Sequence, residues 1–562
     1  MLSATPHRGA AGPVARVGPW ELGVGGAESY LAVEGERGLA LTGRLDADPW
    51  WTGRVRAAGG NPAAALLALT QEEGREALGR LRGVFSMVAV ERDGLWGARD
   101  HLGFSPLFFG ERGDRIAVAT QARQVVAGLD RVPEPALDVV EGVFWGSYDD
   151  DTGSFLQGAR RVPKASLVTF DAGSGFRSRR YWNPADLLET RRSGWTDLAE
   201  EFHGHMRRAV ARAMYGGTAV ALSGGVDSPA VAAYAAEEAL DRGELLPIAL
   251  SAVYPDLPSV DESAYIEGVA ARHGMDLRTY RPRAKLFDDL EEYVRLADGP
   301  APTVSLVESA ELYRLARSQG IETILTGEMA EFVIAMGANT LAHLIGHGRL
   351  RGLAAYLSAE RRRGLPATVI ARRAVRAILP PDAVHLPRPG SVAAPVPWLD
   401  ADRFRAKGGV SPPFRRRWEA QQVSAFVGPG ISLEADEAVQ AACGVRVRRP
   451  WLDVDLWEFF LALPAEVRYP DGRYKGLMKR WLRGRVPDEI LDRRDRTYFD
   501  ESFWQRFDRA RLKSLLVDVD YRMPGVDYGL LLERLNSADL DLREGMWAKD
   551  LAVVHAFMKA WA

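Results

Sequence analysis

The chain is nearly without cysteine. Among its 562 residues only Cys443 carries a thiol, which excludes a disulfide framework and any zinc site built on cysteine. It also has no long apolar run. No hydrophobic stretch approaches the roughly 18 residues of a membrane span, and the polar start, dotted with Gly and Pro, has no signal-peptide core. An excess of one charge is missing too: the formal net charge of -3 argues against a nucleic-acid partner and against a membrane-surface role. Internal repeats are absent. What these absences leave is a globular, cytoplasmic protein, too long for one compact core and therefore of two or more domains.

The most informative segment present runs from Ala219 to Pro229. Ala219-Val220-Ala221-Leu222 reads as a buried strand, Ser223-Gly224-Gly225 breaks it, and Val226-Asp227-Ser228-Pro229 leads into a helix. Ser is a favoured N-cap and Pro suits the first helical position, which predicts a helix starting at Ser228 and Pro229. Two glycines let the turn bring its N–H groups close to a ligand, and with a helix N-terminus behind them they form an anion-binding nest. Asp227 is placed to hold a divalent cation on the same anion. The expected guest is the polyphosphate of a nucleotide. A Walker loop is excluded, since it needs Gly-Lys-Ser/Thr.

Residues 1 to about 185 read as mostly β with short strands. Leu39 to Gly43 and Phe85 to Val90 are strand candidates, and Arg92-Asp93-Gly94-Leu95 has the Asp-Gly of a hairpin turn. From about Thr196 the pattern changes to long helices between apolar strands at 218–222, 247–250 and 322–325, which predicts parallel βαβ units with the ligand at the strands' carboxyl ends. Leu456, Phe459, Phe460 and Leu463 recur at helical spacing and predict a helix with one core-facing side over 455–463. Arg191-Arg192-Ser193-Gly194 interrupts the pattern, within a linker expected from Leu187 to Trp195. The expected domains are 1–190 and 191–562. Cys443 is read as core, and the basic stretches 361–363, 415–417 and 446–449 as solvated faces or partners of nearby acids, with docking of an acidic peptide as the alternative. His343 and His347 share a helix face, yet no zincin glutamate lies between them and no third ligand is evident, so they are not read as a metal site.

The Ser-Gly-Gly-Val-Asp-Ser loop resembles the pyrophosphate loop of the N-type ATP pyrophosphatases. Further segments resemble the asparagine synthetase family, in that family's order: Ala98-Arg99-Asp100 through Pro106-Leu107-Phe108, then Arg161-Val162-Pro163, Thr326-Gly327-Glu328 through Glu331, Arg448 through Asp453, and Tyr474-Lys475-Gly476-Leu477. The resemblance implies an α+β, Ntn-hydrolase-like sandwich resembling a class II glutaminase, followed by an α/β parallel-sheet ATP pyrophosphatase domain with many helices. It implies ATP and Mg²⁺ as cofactors, and a reaction in which a carboxylate attacks the α-phosphate before an amine displaces AMP. Partners would be a small-molecule or peptide carboxylate, ammonia or an amine as nucleophile, and a protein of the same pathway.

By the same resemblance, Ser223, Gly224, Gly225, Val226, Asp227 and Ser228 hold the phosphates, with Gly327 beside them. Leu250 and Ser251 lie where the family cradles adenine. Asp227 and Glu331 are the expected Mg²⁺ ligands, Glu331 taking the place of the family's Asp. Lys475, on an expected helix, is the transition-state cation, and Glu328 matches the glutamate of the synthetases where β-lactam synthetases place a tyrosine. Glu434, sixteen positions before Pro450, has the spacing of the acid that helps deprotonate the amine in β-lactam synthetases, with neighbouring Glu437 as the alternative. The glutaminase half departs from the family. Leu2 stands where the nucleophilic cysteine belongs, with Ser3 and Thr5 as remote substitutes. Thr42-Gly43-Arg44 replaces Asn-Gly-Glu, and Gly60-Asn61-Pro62-Ala63 replaces Gly-Asp-x-Glu. Loss of glutaminase activity is therefore expected. An intramolecular cyclase, like the β-lactam synthetases or lasso-peptide cyclases, stands beside ordinary asparagine formation, and a catalytically silent binding scaffold is the reading from another class.

Overall fold

The structure is a computed structural model and describes residues 5–561 apart from 9–10, 27, 93, 147–150, 172, 192, 195, 301–305, 335–338, 363, 380–395, 404–413, 428–429, 470–474, 494–496, 498–499 and 518. Leu2, Ser3, Asp93, Arg192, Trp195, Arg363 and Tyr474 thus lie outside the described residues.

Alternation of apolar side chains builds the first half. Its larger sheet is antiparallel, with strands in the order Gly175–Arg180, Ser166–Asp171, Gly94–Arg99, Gly83–Glu91, Arg37–Leu45 and Ser29–Glu34. Successive side chains point to opposite faces of a strand. Leu39, Leu41, Phe85 and Met87 accordingly pack with Leu66 and Leu69 of the helix Pro62–Glu73. Val88 and Val168 face the other way, onto Phe109 of a small sheet made by Arg115–Ala119, Phe108–Arg112 and Arg160–Arg161, and onto Leu107 and Val162 at its strand ends. The outer face of that small sheet, through Phe108 and Ala117, meets Val125 and Val126 of the helix Ala122–Gly128. The result is helix, sheet, sheet, helix: the α+β sandwich expected of an Ntn-hydrolase-like unit.

The second half is built on one parallel sheet of five strands, ordered Leu277–Tyr280, Ile248–Ala252, Thr218–Ala221, Thr323–Thr326 and Arg446–Arg448. The three strands foreseen in the sequence are all present, shifted by at most two residues at their ends. Sequence order runs outward from Thr218–Ala221 in both directions, so the crevice between this strand and Thr323–Thr326 is a topological switch point, where ligands of such sheets bind. The helix Val454–Ala462 turns Leu456 and Phe460 into the core beside Phe202, Trp451 and Trp457. Cys443 packs at the edge of the cluster of Ala219, Ile324 and Val447.

The two halves share a core. Val125, Phe144 and Phe155 of the first half join Leu512, Leu551 and Phe557 near the carboxyl end, and Leu102 and Ala165 join the core of the parallel sheet. Full burial of such a side chain contributes about 1.5–3 kcal/mol, against at most about 1 kcal/mol for an exposed pair such as Arg16–Glu21. Apolar contact therefore holds the joint. Among the described residues no helix is long and apolar enough to cross a membrane.

Candidate nucleotide site

The loop 222–226 leaves the central strand at the switch point and is fixed by its own polar groups. Leu222 donates its N–H to the Leu250 carbonyl at 2.8 Å, and the Ser251 hydroxyl donates to the Leu222 carbonyl at 2.7 Å. Ser223 donates its N–H to Ser228 Oγ at 2.9 Å, and the two hydroxyls also meet at 2.9 Å. Leu250 and Ser251 thus serve the loop from the next strand. Ser223 and Gly225 are exposed at its mouth, while Gly224 and Val226 are buried.

The helix begins earlier than expected. Asp227–Arg242 is helical with Val226 at the N-cap, so Ser228 and Pro229 are its second and third residues. Pro is tolerated there because the N–H groups of a first helical turn have no intrahelical partner. The Ser228 hydroxyl is drawn back to the loop rather than used as a cap.

Asp227 and Lys475 come together although 248 positions separate them: the Lys475 ammonium forms an ion pair with Asp227 Oδ2. Lys475 is 7% exposed and immediately precedes the helix Gly476–Trp481 rather than lying on it. Its φ of +54° is left-handed, a conformation that a non-glycine residue holds only where its surroundings fix it. Trp451 supports the loop from beneath, its indole N–H donating to the Asp227 carbonyl at 3.1 Å. Gly327 closes in from the neighbouring strand. A Cβ there would stand 2.3 Å from the Ser228 nitrogen and 2.7 Å from the Asp227 carbonyl carbon, so only glycine allows the two strand ends to meet.

Glu328 follows at the surface and accepts from Arg449 Nε at 2.9 Å. Arg449 also donates to Asp436 at 2.5 Å, and the Tyr313 hydroxyl to the same carboxylate at 2.7 Å. Glu331 is half-buried in the first turn of the short helix Ala330–Ile334. The basic stretch 446–449 does pair with acids, since Arg446 meets Glu28 at 2.9 Å as well.

Three residues of this site carried no sequence signal. Glu262 Oε2 accepts the Gly224 N–H at 2.9 Å, and its Oε1 accepts from Arg493 Nη1 at 2.8 Å and from Thr497 Oγ1 at 2.7 Å. A carboxylate therefore sits on the loop N–H.

Glu434 is placed elsewhere. Its Oε1 accepts from Arg99 Nη2 and Arg161 Nε, each at 2.7 Å, both in the first half. Burial alone would raise its pKa, but Arg161 and Arg99 outweigh that and hold it below the ordinary value. A carboxylate so held is a weak base. Glu437, the alternative, is paired with Arg8 at 2.5 Å.

A Gly-rich loop at the switch point of a parallel sheet, with a carboxylate and a lysine at its mouth, fits the class of enzymes that use a nucleotide to activate a substrate, here joined to an α+β sandwich. The asparagine synthase family model matches residues 201–562 and that of the glutamine amidotransferase domain residues 59–182; with more than half of its length so matched, the chain belongs to the asparagine synthase family. It is similar to asparagine synthetase [glutamine-hydrolyzing] 3 of Bacillus subtilis (strain 168), at 23% identity over 442 residues, covering 74% of this chain and 67% of that protein. Two solved structures match at 12% identity with a TM-score of 0.24, each over 51% of this chain. One is an allosteric regulatory enzyme of purine biosynthesis, matched over 77% of its chain. The other is glutamine phosphoribosylpyrophosphate amidotransferase from B. subtilis complexed with ADP and GMP, matched over 78%. The protein is an ATP-dependent ligase of the asparagine synthetase kind.

Proposed function

We propose that the protein activates a carboxylate as its acyl-adenylate, with release of pyrophosphate, and transfers the acyl group to ammonia or a substrate amine without hydrolysing glutamine. The observation that carries this is the pairing of Asp227 with Lys475 at the mouth of a loop whose Gly224 N–H already holds an anion. The residues fit ATP and Mg²⁺: an anion-accepting loop, a carboxylate at the helix start, and a close approach at Gly327 that leaves no room for a side chain. Mg²⁺, when bound, neutralises charge on the phosphates. Asp227 and Glu331 would hold it. Ser223 and Ser228 brace the loop through their own hydrogen bond, and the N–H groups from Gly224 to Ser228, that of Gly224 once Glu262 is displaced, orient the pyrophosphate part. Lys475, released from Asp227, stabilises charge gathering on the α-phosphate, and Glu328 with Arg449 lines the acyl side. Leu250 and Ser251 border the adenine position.

The first half supports the reading by what its altered motifs now do. Asn61 caps the helix Pro62–Glu73, its side chain accepting from Ala63 N–H at 2.9 Å. Thr5 is buried and accepts from Gln124 at 2.7 Å. The only thiol lies in the other half. We place the domain boundary near residue 190, where Glu189 and Arg191 donate their N–H groups to the Leu461 and Ala462 carbonyls. A cytoplasmic setting, with ATP at hand, goes with this chemistry, and a pathway protein would present the substrate. The loss of the cysteine favours ring closure within one substrate as the specialised form of the reaction, since joining amine and acyl group in one molecule makes the second step unimolecular.

The test is pyrophosphate release from ATP and Mg²⁺ against a panel of acids and peptides, with ammonium, with glutamine, or with neither. Turnover with ammonium, or with no added amine, is expected, and none that depends on glutamine. Asp227→Ala should lower the rate at least a hundredfold with an unchanged circular dichroism spectrum. Full activity of that variant, or glutamine-dependent turnover, overturns the reading.

A further inference from the structure

His343 and His347, one helical turn apart on and just after the helix Thr340–Gly346, meet Glu419 from the helix Arg417–Gln422. One nitrogen of each ring and a Glu419 carboxylate oxygen all lie within 4.8 Å of one another. The sequence hid this third residue, which comes 72 positions after His347. We propose that these three side chains form a site for a divalent transition-metal ion of the zinc class, separate from the nucleotide site.

The hydrogen bonds fix which nitrogens are available. His343 is 1% exposed, and its Nε2 lies 3.2 Å from Glu189 Oε2. Glu189 also accepts from the Ala465 N–H at 2.8 Å and from Arg349 at 2.7 Å. A carboxylate so held accepts, so His343 Nε2 carries the proton and Nδ1 the lone pair. That buried Nδ1 has no hydrogen-bond partner. His347 Nδ1 lies 3.0 Å from the His343 carbonyl, an acceptor, which leaves the His347 Nε2 lone pair facing Glu419 Oε1 at 3.7 Å. The lone pairs left on the three residues are thus those of His343 Nδ1, His347 Nε2 and the Glu419 carboxylate. Protonating His347 would satisfy Glu419 but leave His343 Nδ1 orphaned; a cation satisfies all three. In protein metal sites a ligating histidine gives its other N–H to a carboxylate or a backbone carbonyl, and both arrangements are present here. Donors about 2.1 Å from a tetrahedral ion stand about 3.4 Å apart, so a small rotation of exposed His347 and half-buried Glu419 closes the site. Trp418, stacked on the His343 ring at 4.2 Å between centroids, holds the buried ligand in place. The ion would clasp the helix Thr340–Gly346 to Arg417–Gln422 and, through Glu189, to the chain between the two halves.

The experiment is titration of chelator-treated full-length protein with Co²⁺, in excess Mg²⁺ to cover the nucleotide site. One equivalent should bind with visible d–d absorption of a low-coordinate site, and one equivalent of Zn²⁺ should abolish it. His347→Ala and Glu419→Ala, both away from the core, should keep the wild-type circular dichroism and weaken Co²⁺ binding at least tenfold. Asp227→Ala should bind Co²⁺ like wild type, which separates failure here from failure of the nucleotide reading. No absorption in the wild type, or absorption undiminished in both variants, overturns the proposal.

Discussion

Glu262 governs the loop at the scale of one residue. Its carboxylate occupies the Gly224 N–H and ties Arg493 and Thr497 over the loop, so a phosphate that takes this N–H must displace it. Hydrogen bonds to a charged partner contribute about 1.5–3 kcal/mol, part of which returns when the carboxylate meets water. Glu262→Ala should therefore tighten ATP binding three- to tenfold by calorimetry, with Arg493 freed to face the phosphate. Unchanged or weaker binding would make Glu262 a support of the loop instead of a competitor. Nothing in the sequence marked this residue, because its partner Arg493 lies 231 positions away. The Ser-Gly-Gly-Val-Asp-Ser loop was legible for the opposite reason: it is one short run of sequence, and the bonds between Ser223 and Ser228 that shape it are local. Local preference still erred by a residue or two at the helix start, where Ser228 was expected as a cap and instead turns its hydroxyl to the Ser223 N–H.

At the scale of elements, the site depends on two strand ends brought side by side. Apolar runs and the alternation of strand with helix revealed three of the five segments that form the parallel sheet, but not Leu277–Tyr280 or Arg446–Arg448, nor that Thr323–Thr326 would lie next to Thr218–Ala221. That neighbour relation makes Gly327 critical. The Cβ of Gly327→Ala would press on backbone atoms of Asp227 and Ser228, which cannot swing away as a side chain can. The start of the helix Asp227–Arg242 must move, and the Asp227–Lys475 pair with it. We expect at least a tenfold loss of ATP affinity and a melting temperature lowered by several degrees, while the sandwich of the first half keeps its fold. Binding as in the wild type would show that the two strand ends can separate without harm to the loop.

At the scale of the whole molecule, the halves are joined by a shared core and by buried charge, and Glu434 belongs to that joint. Counting back from Pro450 finds an acid at the right distance along the chain, but a count does not say which way a helix faces. The helix Gly430–Cys443 turns Glu434 to the first half, where Arg99 and Arg161 of two family-like segments close on it. Removing one partner of such a buried cluster costs about 3–5 kcal/mol, because two guanidinium groups are left facing each other. Glu434→Gln should lower the melting temperature near neutral pH by several degrees. The pKa of Glu434 is depressed in the fold, so its stabilisation is present above the ordinary carboxylate pKa of about 4.3 and is lost as pH falls through the depressed value. The gap between wild type and variant should accordingly narrow on acidification. The shape of the pH–rate profile should stay the same, since a doubly paired interface carboxylate takes no proton from an amine. An undiminished melting temperature together with loss of the acidic limb of that profile would return Glu434 to the role of base.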